Sequence, residues 1–407
     1  MNIRELISNR FGGETFGIAT GEYKFGKIKS AKERAMKDNP NLPIIDLGIG
    51  EPDGMADQKI IDKLYEEAMV YENRGYADNG CEEFKVAAIK YMEEIYKVKG
   101  LDLATEVTHA IGGKNAFAFL PAALIDEGDY ALITSPGYPV LGIHTEWMGG
   151  KVYPLPLLEK NNFLPQLDAI PQNILEKSKM LYINYPNNPT GAVATKEFYK
   201  EVIDFAKKNN IIIISDPAYG TLQFEGEPLS ILSIEGAKEV ALEVHSMSKS
   251  FNMTGWRLAF VVGNKLLLDL FKHSKNNYDS GQFLAIQKAG IYALQHPEIT
   301  EAIKKKYFRR HKSLVKLLNK LGFEASIPGG TFFLYVKIPK GIKNGVRFIN
   351  AEEFSQYLIK ELHISSVPWD EEGPFIRFSV TFELRGKTEE EIFSELEKRM
   401  NSVEFEF

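Results

Sequence analysis

Apolar residues in the middle of the chain come as short runs: DYALITS (129–135), KMLYINY (179–185), NIIIISD (210–216), ALEVHS (241–246) and LAFVVG (258–263). They are rich in β-branched or aromatic residues and lack clean apolar–polar alternation, as expected of strands covered on both faces. Between two of them, TKEFYKEVIDFAKKNN (195–210) repeats Phe198, Val202, Ile203 and Phe205/Ala206 at helical spacing. Strand, helix and strand in that order predict a mostly parallel sheet with right-handed crossovers. The last third changes character. EITEAIKKKYFRRHKSLVKLLNKLG (298–322) predicts one long amphipathic helix closed by Gly322. A strand FFLYVKI (332–338), a helix AEEFSQYLIKEL (351–362) and a strand FIRFSVT (375–381) follow it. The residues ahead of the strand-like PIIDLGIG (43–50) include many glycines and show no persistent period, which suggests an arm packed elsewhere on the molecule. No internal repeat or low-complexity tract interrupts this order. The predicted fold class is α/β: a large domain (52–295) with a mostly parallel central sheet, and a smaller α/β domain (296–407) joined by the arm (1–51).

Composition narrows the function classes. The 407 residues are 44% hydrophobic and 26% charged, with a net charge of −6, so the chain can bury a large core and has no basic excess. Neither a nucleic acid nor an anionic membrane is an expected partner. A lone cysteine, Cys81, excludes an intramolecular disulfide framework and a Cys-rich metal site, and no metal is expected. The start, MNIRELISNRFGGETFG, lacks the apolar stretch of a secretory signal, and runs such as IIII (211–214) are too short to span a bilayer. A cytoplasmic protein is expected.

Ligands of open parallel sheets bind beyond the carboxyl ends of the strands, and there the polar residues of this chain gather. DYALITS leads into Pro136-Gly137-Tyr138, and KMLYINY into Pro186-Asn187-Asn188-Pro189-Thr190-Gly191. NIIIISD ends in Asp216 with Tyr219 shortly after, and ALEVHS ends in Ser246, followed by Ser248 and Lys249. Upstream, Gly112-Gly113-Lys114-Asn115 stands at a predicted helix start, where free amides favour an anion. Singly each has a plain reading: a packing tyrosine, a tight turn, a helix cap. SMSK itself reads two ways. Ser246 could be a nucleophile beside a basic lysine, or Lys249 could be the reacting group. The companion S-D-N and K-T-G motifs of acyl-serine enzymes are absent, and that reading leaves Asp216 and Asn188 without tasks.

Together the residues supply what one cofactor needs. Gly113, Lys114, Asn115, Ser246, Ser248 and Arg257 offer amides, hydroxyls and a cation for a phosphate. Tyr138 offers an aromatic face, Asp216 a carboxylate for a ring nitrogen, Asn188 and Tyr219 donors for a phenolic oxygen, and Lys249 an amine for an aldehyde. That set describes pyridoxal 5'-phosphate.

The ordered motifs GGKNA, PGYP, NYPNNPTG, SDPAYG, SMSKSFNMTGWRLA and FIRFS resemble the class I aminotransferases of the pyridoxal-phosphate fold type I superfamily, over nearly the whole chain. The resemblance implies that Lys249 bonds the cofactor covalently, that Asp216 is the ring-nitrogen partner, and that Tyr219 and Asn188 contact the ring oxygen. It implies that Tyr138 stacks on the ring, that Ser246 and Arg257 hold the phosphate, and that Arg377, helped by Asn188 and the backbone at Gly50, clamps the substrate carboxylate. Tyr76 in GYADNG resembles a tyrosine that reaches the phosphate of a neighbouring subunit, implying a homodimer with shared sites. The family glycine five residues after that tyrosine is here Cys81, with Gly80 one place earlier.

GIGEPDGMAD, ENRGYADNGCEEFK and NRFGGETFG look like LL-diaminopimelate aminotransferases, so amino transfer between diaminopimelate and 2-oxoglutarate in lysine biosynthesis is the leading expectation. Aspartate or another amino acid as donor, a carbon–sulfur β-lyase on the same fold, and a non-enzymatic cofactor-binding regulator are the alternatives. Arg377 would read only the carboxylate common to all amino acids. The segment KNNYDSGQF (275–283), read as joining a strand to a helix, offers Lys275, Asn277 and Asp279 as readers of a zwitterionic far end.

Overall fold

The computed structural model describes residues 3–17 and 24–407. These divide into two compact units. The larger is Glu51–Phe308 with Pro328–Phe332; the smaller comprises the described residues up to Gly50, Arg309–Ile327 and Phe333–Phe407. The second division falls inside the long helix Glu298–Lys320, later than the 295/296 boundary read from the sequence.

Seven strands build the sheet of the larger unit: β1 Val107–Ala110, β2 Tyr130–Ser135, β3 Lys151–Pro156, β4 Ser178–Ile183, β5 Ile212–Ser215, β6 Ala241–Ser246 and β7 Ala259–Gly263. Their order is β1-β7-β6-β5-β4-β2-β3. The pairs β3–β2, β2–β4, β4–β5 and β5–β6 are parallel, while β7 runs antiparallel to both β6 and β1. The mostly parallel sheet is thus present.

Successive side chains point to opposite faces, and both faces are apolar, which is why the runs do not alternate. Leu132, Leu181, Ile183, Ile213, Phe260 and Val262 enter one core, and Ala131, Ile133, Met180, Tyr182, Ile214 and Val261 enter the other. Two strands of this sheet escaped the sequence reading. In β1 the buried polar pair Thr108 and His109 breaks the apolar run. In β3, Pro154 and Pro156 argue against a central strand, and β3 is the sheet's edge, where missing donors are tolerated.

The helix predicted over 195–210 is Lys196–Asn209, with the Thr195 hydroxyl accepting from the Phe198 amide at its start. Asn210 closes it in the left-handed conformation.

In the smaller unit β8 (Phe333–Lys337), β9 (Val367–Trp369) and β10 (Phe375–Ser379) form an antiparallel sheet of order β9-β10-β8. Ile45–Asp46 pairs in parallel with Ile364–Ser365. One expectation fails here. Lys24–Asp38, in the stretch without a visible period, is a helix. Among its described side chains Ile28, Ala31 and Ala35 make a narrow apolar stripe, which packs against Ile359, Val367 and Trp369 and holds the helix in place. The rest of the expected arm is three short 3-10 turns between Ile3 and Thr15, and part of it lies outside the described residues.

Candidate active site

Strand direction brings the polar residues together. The carboxyl ends of β2, β4, β5 and β6 point the same way, and so does that of β1, because β1 and β6 both run antiparallel to β7. The reversal at β7 matters most. Ser246, the last residue of β6, stands opposite Ala259, the first of β7, and Ala110 at the end of β1 is also opposite Ala259. The twelve-residue loop between them therefore starts and finishes at the same edge, returning Arg257 beside Ser246 and the helix that follows β1.

That helix, Gly112–Leu124, has no side-chain cap at its N-terminus, so the amides of Gly113, Lys114 and Asn115 lack intrahelical partners. Gly112 has φ +73°, and a Cβ there would lie 2.3 Å from Nη2 of Arg257. Only glycine lets the guanidinium lie against the backbone. A Cβ on Gly113 would be 3.9 Å from Cβ of Ser246. The Ser246 hydroxyl accepts from the Ser248 amide at 3.2 Å, starting the single turn Met247–Ser250 that carries Lys249. Arg257 donates to the Thr254 carbonyl at 2.7 Å and to the Ser248 hydroxyl at 3.4 Å. Amides, hydroxyls and a cation thus gather at one place on the sheet edge. Lys114 is exposed, and its charge helps burial hold the His144 imidazole below its ordinary value.

Asp216 follows β5 directly and is 5% exposed. One carboxylate oxygen accepts from the Tyr182 hydroxyl at 2.7 Å, the other from the Ala218 amide at 3.2 Å. Burial pushes its carboxyl up to about 6, against the pull of those two donors and the Lys249 ammonium, and buried Glu243 adds to the rise. Glu243 is itself saturated, accepting from Ser230 at 2.6 Å, Ser215 and the Ile231 amide at 3.1 Å, and paired with His245 at 2.6 Å.

The loop after β4 is shaped by its own amides. Asn184 donates to the Asp216 carbonyl at 2.7 Å and accepts from the Asn188 amide at 2.9 Å; Asn187 accepts from the amide and hydroxyl of Thr190. Asn188 is thereby fixed next to the backbone of Asp216. Tyr219 meets Phe332 edge-on at 5.4 Å, and Nζ of Lys249 stands 5.8 Å from the same ring. Tyr138 and Tyr219 both lie close enough to Tyr182 for their charges to affect its phenol. Lys249, Asp216, Asn188, Tyr219, Tyr138, Ser246, Ser248, Arg257 and the Gly112 helix start therefore occupy one edge. Sequence reading passed over Tyr182, Asn184 and Phe332. Tyr182 looked like core, and only its position two residues before a polar loop marks it.

Arg377 lies on β10 of the smaller unit, 3% exposed. Its Nη2 donates to the Gly48 carbonyl at 3.3 Å, its guanidinium stands 3.9 Å above the Phe333 ring, and a Cβ on Gly50 would be 3.9 Å from Nη2. Arg377 and Gly50 are neighbours, as a shared carboxylate site requires.

Tyr76 is 88% exposed. The departure that follows it has a physical cause: Gly80 has φ +89°, and a Cβ there would lie 2.4 Å from the His109 Cβ. The glycine must be at 80. The segment 275–283 is a correction: it joins helix Lys265–Asn276 to helix Leu284–Gln295, not a strand to a helix. Lys275 is fully buried, donating to the Asp78 carbonyl and pairing with Asp279 at 2.6 Å, so it does not read a substrate. It ties this segment to the turn bearing Tyr76. Asn277 donates to the His273 carbonyl at 2.8 Å.

No described helix is long and apolar enough to cross a membrane, and among the described residues no group of His, Cys, Asp and Glu is arranged to hold a metal. Comparison with known proteins agrees with the geometry. The chain is 54% identical over 414 aligned residues to an LL-diaminopimelate aminotransferase of Methanocaldococcus jannaschii, covering 100% of this chain and 99% of the relative. It is 53% identical over 411 residues to that of Methanococcus maripaludis, covering 100% and 99%. Substrate-bound BacF from Bacillus subtilis superposes with a TM-score of 0.87 at 33% identity, over 96% of this chain and 97% of that one. Residues 43–384 match the family described as Aminotransferase class I and II. The chain belongs to that family, whose members work with pyridoxal 5'-phosphate.

Proposed function

We propose that this enzyme moves an amino group between LL-diaminopimelate and 2-oxoglutarate in lysine biosynthesis. The observation that carries the reading is identity above one half, over the full chain, to the two LL-diaminopimelate aminotransferases.

The residues present fit the cofactor. The glycine cradle at Gly112, which a Cβ would fill, leaves Arg257 beside uncapped helix amides, a site shaped for a phosphate. When bound, pyridoxal phosphate supplies an aldehyde that takes up amines and a protonated ring that draws electrons from the substrate Cα. Gly113, Lys114, Asn115, Ser246, Ser248 and Arg257 bind the phosphate, the first three through backbone amides. Tyr138 offers its face to the ring, and Asn188 and Tyr219 donate to the ring oxygen. Asp216 keeps a proton on the ring nitrogen, for which its carboxyl must be ionised. With its carboxyl at about 6, it is ionised at neutral pH. Lys249 would hold the cofactor covalently and, once its amine is free, would take the proton from the substrate Cα and give it up at the cofactor's aldehyde carbon. Arg377 with Gly50 fixes the substrate carboxylate, its fork of N–H donors setting the direction of the Cα–H bond.

A homodimer belongs to this reading. Tyr65, Met69, Tyr71 and Tyr76 of the larger unit are all largely exposed, a set of apolar side chains suited to a partner copy. Tyr76 would reach the partner's phosphate.

Purified protein should absorb in the visible and bleach on adding LL-diaminopimelate, with glutamate formed from 2-oxoglutarate. Glutamate, aspartate, alanine, an aromatic amino acid and cystathionine complete the donor panel. Faster bleaching by another donor would displace diaminopimelate as the substrate, and pyruvate and ammonia released from cystathionine would indicate the lyase.

A further inference from the structure

Tyr182 lies on β4 and is completely buried, yet its hydroxyl reaches Oδ2 of Asp216 at 2.7 Å. The ring is held independently of that bond. It meets Phe117 edge-on at 5.4 Å and belongs to the core with Met180, Ile214, Val244 and Val261. Strand register places Tyr182 opposite Ile214, so the phenol arrives beside the carboxylate that follows β5. Asp216 is thus gripped twice: Oδ1 by the Ala218 amide and Oδ2 by a donor on a rigid strand.

We propose that Tyr182 is a positioning residue that sets the basicity of Asp216 and, through it, how firmly the site holds the protonated ring nitrogen of pyridoxal phosphate. The inference rests on the role given to Asp216 above. A buried carboxyl left to itself favours the neutral form, which cannot pair with a ring N–H⁺. A phenol donor stabilises the anion and holds Oδ2 in place. The other groups facing Asp216 divide: the Lys249 ammonium also favours the anion, and Glu243 opposes it. Tyr138 and Tyr219 face the phenol itself.

The test follows rebinding of pyridoxal phosphate to the full chain, stripped of cofactor, as a function of pH. Wild type, Tyr182→Phe, Asp216→Asn and the double variant are compared, so the phosphate's own titration is common to all. Binding by the wild type should strengthen with rising pH as Asp216 ionises. Tyr182→Phe removes a hydrogen bond to a charged group and should move that acid limb upward by about one pH unit, about tenfold weaker binding on the limb. In the Asp216→Asn background the same change should move nothing. Replacing Tyr182 by 3-fluorotyrosine, a stronger donor of nearly the same shape, should move the limb downward, and this decides the matter if the Phe variant fails to fold. An unmoved limb in these proteins, or an equal shift without Asp216, overturns the role of Tyr182. Failure of the wild type to bind pyridoxal phosphate at any pH overturns the reading of the site as well.

Discussion

Asp216→Asn should stabilise the cofactor-free protein while disabling the enzyme. Burial moves the Asp216 carboxyl from an ordinary 3.8 to about 6. Between those values the native state binds a proton that the unfolded chain has released, so this group's contribution to stability falls as pH rises through the window. The cost is complete above about pH 6 and absent below about pH 4. Two units correspond to about 3 kcal/mol. An asparagine stands in for the neutral carboxyl and removes the cost of burying the charge. Its oxygen still accepts from the Ala218 amide, and its NH₂ donates to the Tyr182 oxygen, which serves as acceptor when its own proton turns away. Urea denaturation of cofactor-free wild type and variant should therefore show the variant ahead by about 2–3 kcal/mol near pH 8, with the advantage gone near pH 4. Saturating pyridoxal phosphate should reverse the order, because the wild type binds it more tightly and gains the larger linkage term. An equal stability of the two cofactor-free proteins near pH 8, or a difference that does not change with pH, would refute the reasoning.

Gly112→Ala places a methyl group within 2.3 Å of Nη2 of Arg257 at a φ of +73°, and should weaken pyridoxal-phosphate affinity by on the order of tenfold or more, measured by cofactor titration. Lys275→Met leaves the Asp279 carboxylate without its cation and should cost about 3–5 kcal/mol in urea denaturation, partly recovered when Asp279→Leu is added. Arg377→Lys replaces a planar fork with a point charge. It should lower kcat/KM about 10- to 100-fold for every donor while leaving the cofactor's visible absorbance unchanged.

What could be read from the chain, and what could not, follows from how each residue is used. The sheet was legible because strands buried on both faces are mostly apolar, and a run such as Ile212–Ser215 could hardly be anything else. The site was legible because a parallel sheet collects its loops at one edge, so polar residues after four separate strands had to meet. The helix Lys24–Asp38 was not, since few buried contacts carry it and most of its other positions are polar.

Lys275 was misread and Tyr182 passed over, for the same reason. A lysine among polar neighbours looks exposed, and a tyrosine in an apolar strand looks like packing. In each the end group does the opposite of what the surroundings suggest. The Lys275 ammonium is buried on Asp78 and Asp279, and the Tyr182 hydroxyl leaves the core to meet a carboxylate. Asp78 lies 197 residues from Lys275 and Asp216 follows another strand than that of Tyr182, so composition and period carry no trace of those two partners. A buried charge or phenol has to be satisfied by something, and only the fold says by what. Asp216 joins the two kinds of residue: the sequence marks it by its place after β5, and its basicity is set by Tyr182, which the sequence hides. An aspartate in this position on another chain, without a phenol at the equivalent of 182, should titrate higher and hold a ring nitrogen differently, even with every residue of the visible motif unchanged.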